Sequence, residues 1–342
     1  MTRDPSAPRF QLFVGVDIAA ASFTATWTLA GPPPERPRTF AQTPDGFAAF
    51  QAALGSTAVQ PAKTLIVLEA TGSYWITLAV TLHQAGYAVS IVNPAQVHAF
   101  ARSLPRRAKT DALDAQLLTL FALQRQPPRW TPPEQVYHEL RQRLLVRDGL
   151  LTMRQQARNQ RHALEQWPVT IPAALAALDK VVTECERQLE ALEREIATVL
   201  QEGAWAESAA LLASIKGIGL VTSAWLLVAT LNFTACASAE AAAAYAGLVP
   251  LARESGTSVR GRRQIGHAGN ARLRTALYMA TLSAARHNPL IRAQYQRLRA
   301  AGKPAKVARC ACARKLMHLA YAVVRKRERF DPGYSTAGAT GC

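Results

Sequence analysis

The order of apolar patterns over the first 125 residues most constrains what this chain can fold into. Gln11–Ile18 is an apolar run rich in β-formers, Phe23–Leu29 alternates, and Pro37–Thr43 is a shorter strand candidate after the turn-forming Gly31-Pro-Pro-Pro34. These three predict an antiparallel meander. Asp45 reads as the cap of a helix to about Leu54, Thr64–Leu68 as a buried strand, and Ser73–Gly86 as a helix. Ala88–Asn93 reads as a strand stopped by Pro94, with a helix from Ala95. After the polar, basic link Ser103–Lys109, a last helix is predicted from Thr110 to about Leu123. Three strands, then helix, strand, helix, strand, helix, is the order of an RNase H-like α/β domain and not of a doubly wound nucleotide-binding sheet.

Pro127, Pro128, Pro132 and Pro133 mark a boundary, so the first domain is placed at 1–126. The region 134–205 reads as helical. In its second half Leu175, Leu178, Val182, Cys185, Leu189, Leu192, Ile196 and Val199 alternate spacings of three and four. That stripe predicts an antiparallel helical hairpin or an intersubunit coiled coil, and with it a homo-oligomer, dimer or tetramer. Residues 208–330 read as a third, all-α region and 331–342 as a flexible tail. Ser214-Ile-Lys-Gly-Ile-Gly219 lies between two apolar helical stretches like the turn of a helix-hairpin-helix module, with Lys216 adding charge beside glycines that let a phosphate approach backbone amides.

With 49% hydrophobic residues in 342, the chain can build real cores. Its longest strongly apolar stretch, Leu220–Leu231, is too short to cross a bilayer, and the N-terminus lacks the layout of a signal peptide. Cys185, Cys236, Cys310, Cys312 and Cys342 are odd in number and scattered, which predicts a cytoplasmic protein without structural disulfides or zinc. The charge is more telling than its total of +17: residues 251–330 hold 19 Lys/Arg and two acids, Glu254 and Glu328, while the rest of the chain is balanced at 21 of each sign. A block so unbalanced and so rich in Arg predicts contact with phosphate backbones.

Four carboxylates fall where a two-metal site needs them. Asp17 ends the first strand, Glu69 ends the fourth, and Asp111 and Asp114 lie three apart on one helix face. In the predicted topology the ends of strands one and four are neighbours and the last helix crosses them. Acids gathered there need a cation, and hard oxygen ligands suit Mg²⁺ or Mn²⁺, two of which can stabilise both the attacking and the leaving oxygen of a phosphodiester.

Val14-Gly-Val-Asp17, Leu68-Glu-Ala-Thr-Gly-Ser-Tyr-Trp75, Asn93-Pro-Ala-Gln-Val97 and Lys109-Thr-Asp-Ala-Leu-Asp-Ala115 are followed by Tyr245-Ala-Gly-Leu-Val-Pro250, Glu254-Ser-Gly256 and Gly269-Asn-Ala-Arg-Leu-Arg274. In that order they resemble the DEDD transposases of the insertion sequence one-ten family, over about residues 11–325. The resemblance implies a RuvC-like first domain whose four metal ligands map onto Asp17, Glu69, Asp111 and Asp114. It also implies a C-terminal transposase domain with a nucleophilic serine at Ser255, and a structured guide RNA pairing with donor and target DNA. Where many relatives carry an Ile-Ser-Lys-like stretch, this chain reads Ile265-Gly-His-Ala-Gly269, so contacts through that hydroxyl and amine do not carry over, and His267 is a candidate replacement.

Read from the residues alone, Ser255 needs activation, and no histidine lies within ten residues upstream. Metal held by the first domain could supply it if both act on one phosphate. Arg253, Arg260, Arg262 and Arg263 would hold that phosphate, Arg272 and Arg274 add to the nucleic-acid surface, and Ser258 is the rival nucleophile. The expected function is an RNA-guided, Mg²⁺-dependent DNA recombinase acting through a phosphoserine. The alternatives are a junction nuclease that activates water and a non-enzymatic nucleic-acid-binding protein. An actin-like ATPase shares the Gly-Val-Asp strand but needs a second glycine-rich phosphate loop, which the sequence lacks.

Overall fold

The computed structural model describes residues 10–29, 34–70, 72–103, 111–250, 254–255, 259–260, 265–266 and 268–333, without the side chains of 111, 112, 254, 255, 259 and 260. The chain divides into two units, Met1–Pro132 and Pro133–Cys342.

The first unit is built on a five-stranded mixed sheet in the order β3-β2-β1-β4-β5. β1 (Leu12–Ile18), β2 (Ser22–Leu29) and β3 (Arg38–Ala41) form the antiparallel meander, and β4 (Thr64–Glu69) and β5 (Ala88–Val92) extend it in parallel from β1. Because side chains alternate across a strand, each central strand feeds two cores. Leu12, Val14, Val16, Ile66 and Leu68 join the apolar faces of α1 (Pro44–Gly55) and α2 (Trp75–Gln84). Phe13, Leu65, Val67 and Val92 join α3 (Pro94–Arg102) and α4 (Asp111–Arg125) on the other face.

One local reading is corrected. Thr43, not Asp45, caps α1: its hydroxyl accepts from the Gly46 N–H at 3.3 Å. Pro44 starts the helix and Asp45 falls in the first turn, where its charge still suits the positive helix end. The proline-rich stretch is also more than a boundary. Trp130 N–H donates to Val89 O at 2.7 Å and the Ser90 hydroxyl to Pro128 O at 2.8 Å, so 127–130 straps the outer edge of β5.

In the second unit α5 (Gln135–Leu164) and α6 (Pro172–Glu202) form an antiparallel hairpin. Its ion pairs descend in register: Arg143–Glu195 at 2.8 Å, Arg147–Glu193 at 2.7 Å, Arg158–Glu186 at 2.5 Å and Arg161–Asp179 at 2.6 Å. Cys185, Leu189 and Ile196 of the predicted stripe are buried within this chain, whereas Leu175, Leu178 and Val182 towards the tip are half-buried. The hairpin's base shares one core with the rest of the unit: Leu140, Leu144, Ile196 and Leu200 pack with α7 (Ala206–Ala213), α8 (Leu220–Thr230), α9 (Ala239–Tyr245), α10 (Ala271–His287) and α12 (Ala305–Lys326), and α11 (Pro289–Ala300) adds Ile291. The unit is not wholly helical, as the sequence reading had it. β6 (Glu254–Ser255) and β7 (Val259–Arg260) pair antiparallel with Ser255 opposite Val259. Two-residue strands are too short to leave a period-two signal. Among the described residues, no helix is long and apolar enough to cross a membrane.

Candidate active site

Strand parity and one close helix contact place the acid-bearing elements toward the same end of the sheet. Phe13, Gly15 and Asp17 share a face of β1, as do Leu65, Val67 and Glu69 on β4, and Phe13, Leu65 and Val67 lie in the core beneath α3 and α4. β1 and β4 run parallel with Val16 level with Leu68, so Asp17 and Glu69 end adjoining strands on the same side of the sheet. α4 runs antiparallel to β1. Its later residues Phe121 and Ala122 pack with Phe13, and its middle touches Gly15. The first turns, carrying Asp111 and Asp114, therefore lie toward the Asp17 end of the strand.

The contact is backbone on backbone. A Cβ on Gly15 would sit 2.6 Å from the Leu118 carbonyl carbon and closer still to Thr119 N and Ala115 O. Only glycine lets the helix approach this near. Thr119, which the sequence reading missed, is fully buried, and its hydroxyl accepts from the Gly15 N–H at 3.0 Å.

Asp17, Glu69 and Asp114 are half-buried. Asp17 and Glu69 each have an interaction partner in the fold. The donor chemistry is that of a hard divalent cation. Among the described residues no three His, Cys, Asp or Glu side chains close into a group able to hold an ion. The side chain of Asp111, the fourth acid, lies outside the described residues. The set thus fits Mg²⁺ or Mn²⁺ in donor type and in its place on one sheet edge, without a closed coordination shell.

In the second unit, the motifs at 245–250 and 269–274 meet at the base of the serine segment. Asn270 N–H donates to Tyr245 O at 2.7 Å, and Asn270 Oδ1 caps α10 by accepting from Leu273 N at 3.1 Å. Gly247 (φ +68°) and Gly269 (φ +91°) stand back to back: a Cβ on Gly269 would lie 2.6 Å from Gly247 N. Arg274 donates to Ala268 O at 3.0 Å and Ala246 O at 3.5 Å, so its guanidinium holds these two turns together. The chain leaves this frame at Pro250 and returns at Ile265, with Ser255 on β6 and Arg260 on β7 between. Their side chains, and the residues Arg253, Gly256, Ser258, Arg262, Arg263 and His267, lie outside the described residues.

Lys216 is exposed in the turn between α7 and α8. Gly217 (φ +105°) makes that turn possible, because a Cβ there would lie 2.5 Å from the Ala284 Cβ of α10. Asn288, also absent from the sequence reading, is fully buried. Its amide donates to Lys216 O at 3.3 Å, and its oxygen accepts from Leu290 N at 3.1 Å and Ile291 N at 3.3 Å, tying the turn to the start of α11. Arg272 lies over the Trp225 ring at 5.7 Å and pairs with Asp148 at 3.5 Å. Burial pushes the Asp148 carboxyl up, and Arg272 and Arg147 oppose the shift.

Comparison with known proteins agrees with both units. One family profile, for DEDD transposases of the IS110 type, matches residues 14–166. A second, described as transposase of the IS116/IS110/IS902 family, matches residues 209–296. The chain is 31% identical to the pilin gene-inverting protein of Moraxella bovis, over 93% of this chain and 97% of that one. The chain belongs to the IS110 family of transposases. Family membership makes it an enzyme of DNA transposition and recombination, with DNA as its partner. Two other relatives fit the same family. The pilin gene-inverting protein of Moraxella lacunata is 30% identical over 93% of this chain and 97% of that one. An uncharacterized 43.6 kDa protein of insertion element IS110 from Streptomyces coelicolor is 32% identical over 48% of this chain and 41% of that one.

Proposed function

We propose that this IS110-family transposase cuts and rejoins DNA through Ser255, assisted by a divalent metal that Asp17, Glu69, Asp111 and Asp114 hold. The observation that carries the reading is the placement of three acid-bearing elements along the C-terminal edge of the central strands, with Asp17 and Glu69 near the ends of adjoining parallel strands and α4 laid antiparallel across them. The strand order β3-β2-β1-β4-β5 supports an RNase H-like, RuvC-type scaffold for that acid edge. When bound, the metal would supply Lewis-acid stabilisation of phosphate charge.

The chain's own residues do the rest. Ser255 Oγ bonds to phosphorus as the bond to one deoxyribose oxygen breaks; the serine proton is lost and the departing oxygen takes one up. The phosphoserine diester keeps the bond energy until a hydroxyl of the partner strand attacks and restores the serine. Arg253, Arg260, Arg262 and Arg263 offset the charge that builds on the phosphate. Gene inversion, after which two relatives are named, and transposition ask for this same exchange at different pairs of sites. A structured guide RNA choosing those sites, and assembly as a dimer or tetramer, complete the reading. The half-buried stripe toward the hairpin tip and exposed Trp167, Val169 and Ile171 support the second part.

The test is a trap for denaturation-resistant protein–DNA adducts with full-length protein, Mg²⁺, the element's non-coding RNA and cognate ends. Ser255→Ala removes the adduct and Asp17→Asn suppresses its formation. An adduct that survives Ser255→Ala overturns the serine assignment.

A further inference from the structure

We propose that Thr119 is a positioning residue for the acid edge: its hydroxyl sets the level at which α4 lies on β1, and so the spacing between Asp17 and the turn carrying Asp114. This rests on the metal-site reading above.

A buried threonine that bonds only to the carbonyl four residues earlier in its own helix is ordinary. Thr119 does so with Ala115 O at 3.0 Å, but it also joins two strands. Its oxygen accepts from Gly15 N–H on β1 at 3.0 Å, and its single proton is shared between Ala115 O and Thr26 O on β2 at 2.9 Å. Gly15 and Thr26 are direct partners in the β1–β2 register. The hydroxyl is therefore keyed to one rung of the ladder, and the helix cannot slide without breaking the bonds to both strands. Apolar packing alone gives no such lock, since interdigitated side chains can settle at neighbouring levels.

The dimensions make the lock matter. Asp17 stands two residues beyond Gly15 on the same face, and Asp114 directly precedes Ala115, whose carbonyl touches the Gly15 site. A slide by one residue moves the helical acids about 1.5 Å along the helix axis. Metal–ligand distances tolerate only about 0.2 Å. A valine would fill the same volume but make none of the three bonds.

The test is Mn²⁺ binding by full-length protein, followed by electron paramagnetic resonance of the free ion, beside circular-dichroism melts. Wild type binds, Thr119→Ser stays within threefold of it, and Thr119→Val binds at least tenfold more weakly at a temperature where its melt shows it folded. Should the valine variant fail to fold, Thr119→Ala, which adds no branched methyl, carries the same prediction. If Asp17→Asn abolishes binding while the hydroxyl-free variant binds like wild type, the role of Thr119 is overturned and the metal site stands. If Asp17→Asn binds like wild type, or wild type does not bind, the metal site is overturned and this role falls with it.

Discussion

The backbone N–H of Asn270 meets the carbonyl of Tyr245 at 2.7 Å, and that bond closes the base of the segment that carries Ser255. Gly269 and Gly247 allow the closure by standing closer than any Cβ would permit. Gly269→Ala should cost about 3 kcal/mol, from an overpacked contact at a left-handed φ. Strand joining should fall at least a hundredfold in protein that still shows native circular dichroism. Urea unfolding and a joining assay on the same preparation check this; wild-type joining would contradict it.

Arginines of the basic segment divide by what they touch. Arg274 is engaged with the carbonyls of Ala246 and Ala268, so Arg274→Ala should lower stability by about 1–2 kcal/mol and leave the salt dependence of DNA binding unchanged. Arg260, proposed to hold phosphate, should behave oppositely: Arg260→Ala should reduce the slope of log K against log salt by about 1 with no loss of stability. Binding titrations at four salt concentrations separate the two.

The hairpin ladder should contribute according to burial. Arg147 and Glu193 have side-chain exposures of 16% and 42%, and a double-mutant cycle should give a coupling of about 0.5–1 kcal/mol. Arg187 and Glu184, paired within α6 rather than across the hairpin and exposed to 64% and 57%, should couple more weakly, because solvent screens the pair. Thermal unfolding at low and high salt checks both, and salt should weaken the first.

His318 should make the second unit acid-sensitive. Burial holds its imidazole below the ordinary 6.5, against the pull of Glu240 and with help from Arg314. The Nε2 atom is buried without a hydrogen-bond partner. Since the unfolded chain protonates more readily, the stability from this group is complete above pH 6.5 and is lost as pH falls through the lower folded value. Melting temperatures from pH 7.5 to 5.5 should fall more steeply in wild type than in His318→Gln.

Much of this was legible in the sequence, for physical reasons that differ by region. Strands buried on two faces, such as Leu12–Ile18 and Thr64–Glu69, are apolar along most of their length and carry an acid at or next to the C-terminal end, so both the strand and the candidate acid stand out. The α6 stripe shows its partner face by spacing alone. What escaped is what depends on contacts across the fold. Thr119 looks like any helical threonine until Gly15 and Thr26 are brought to it, and Asn288 looks like a loop residue until Lys216 is beside it. Arg272 and Arg274 carry the same charge as their neighbours in sequence. Only their partners, Trp225 with Asp148 and the carbonyls of 246 and 268, set them apart. Thr43 outranked Asp45 as a cap because Pro44 already begins the helix.

The central claim is that a protein hydroxyl, and not water, attacks the phosphodiester. The direct measurement is to run cleavage and joining in water enriched in oxygen-18 and analyse the phosphates of cut and joined DNA by mass spectrometry. With Ser255 as nucleophile, strands that have been joined carry no heavy oxygen at the exchanged phosphate. Heavy oxygen in the terminal phosphates of newly cut ends, formed at the rate of cleavage, would contradict it.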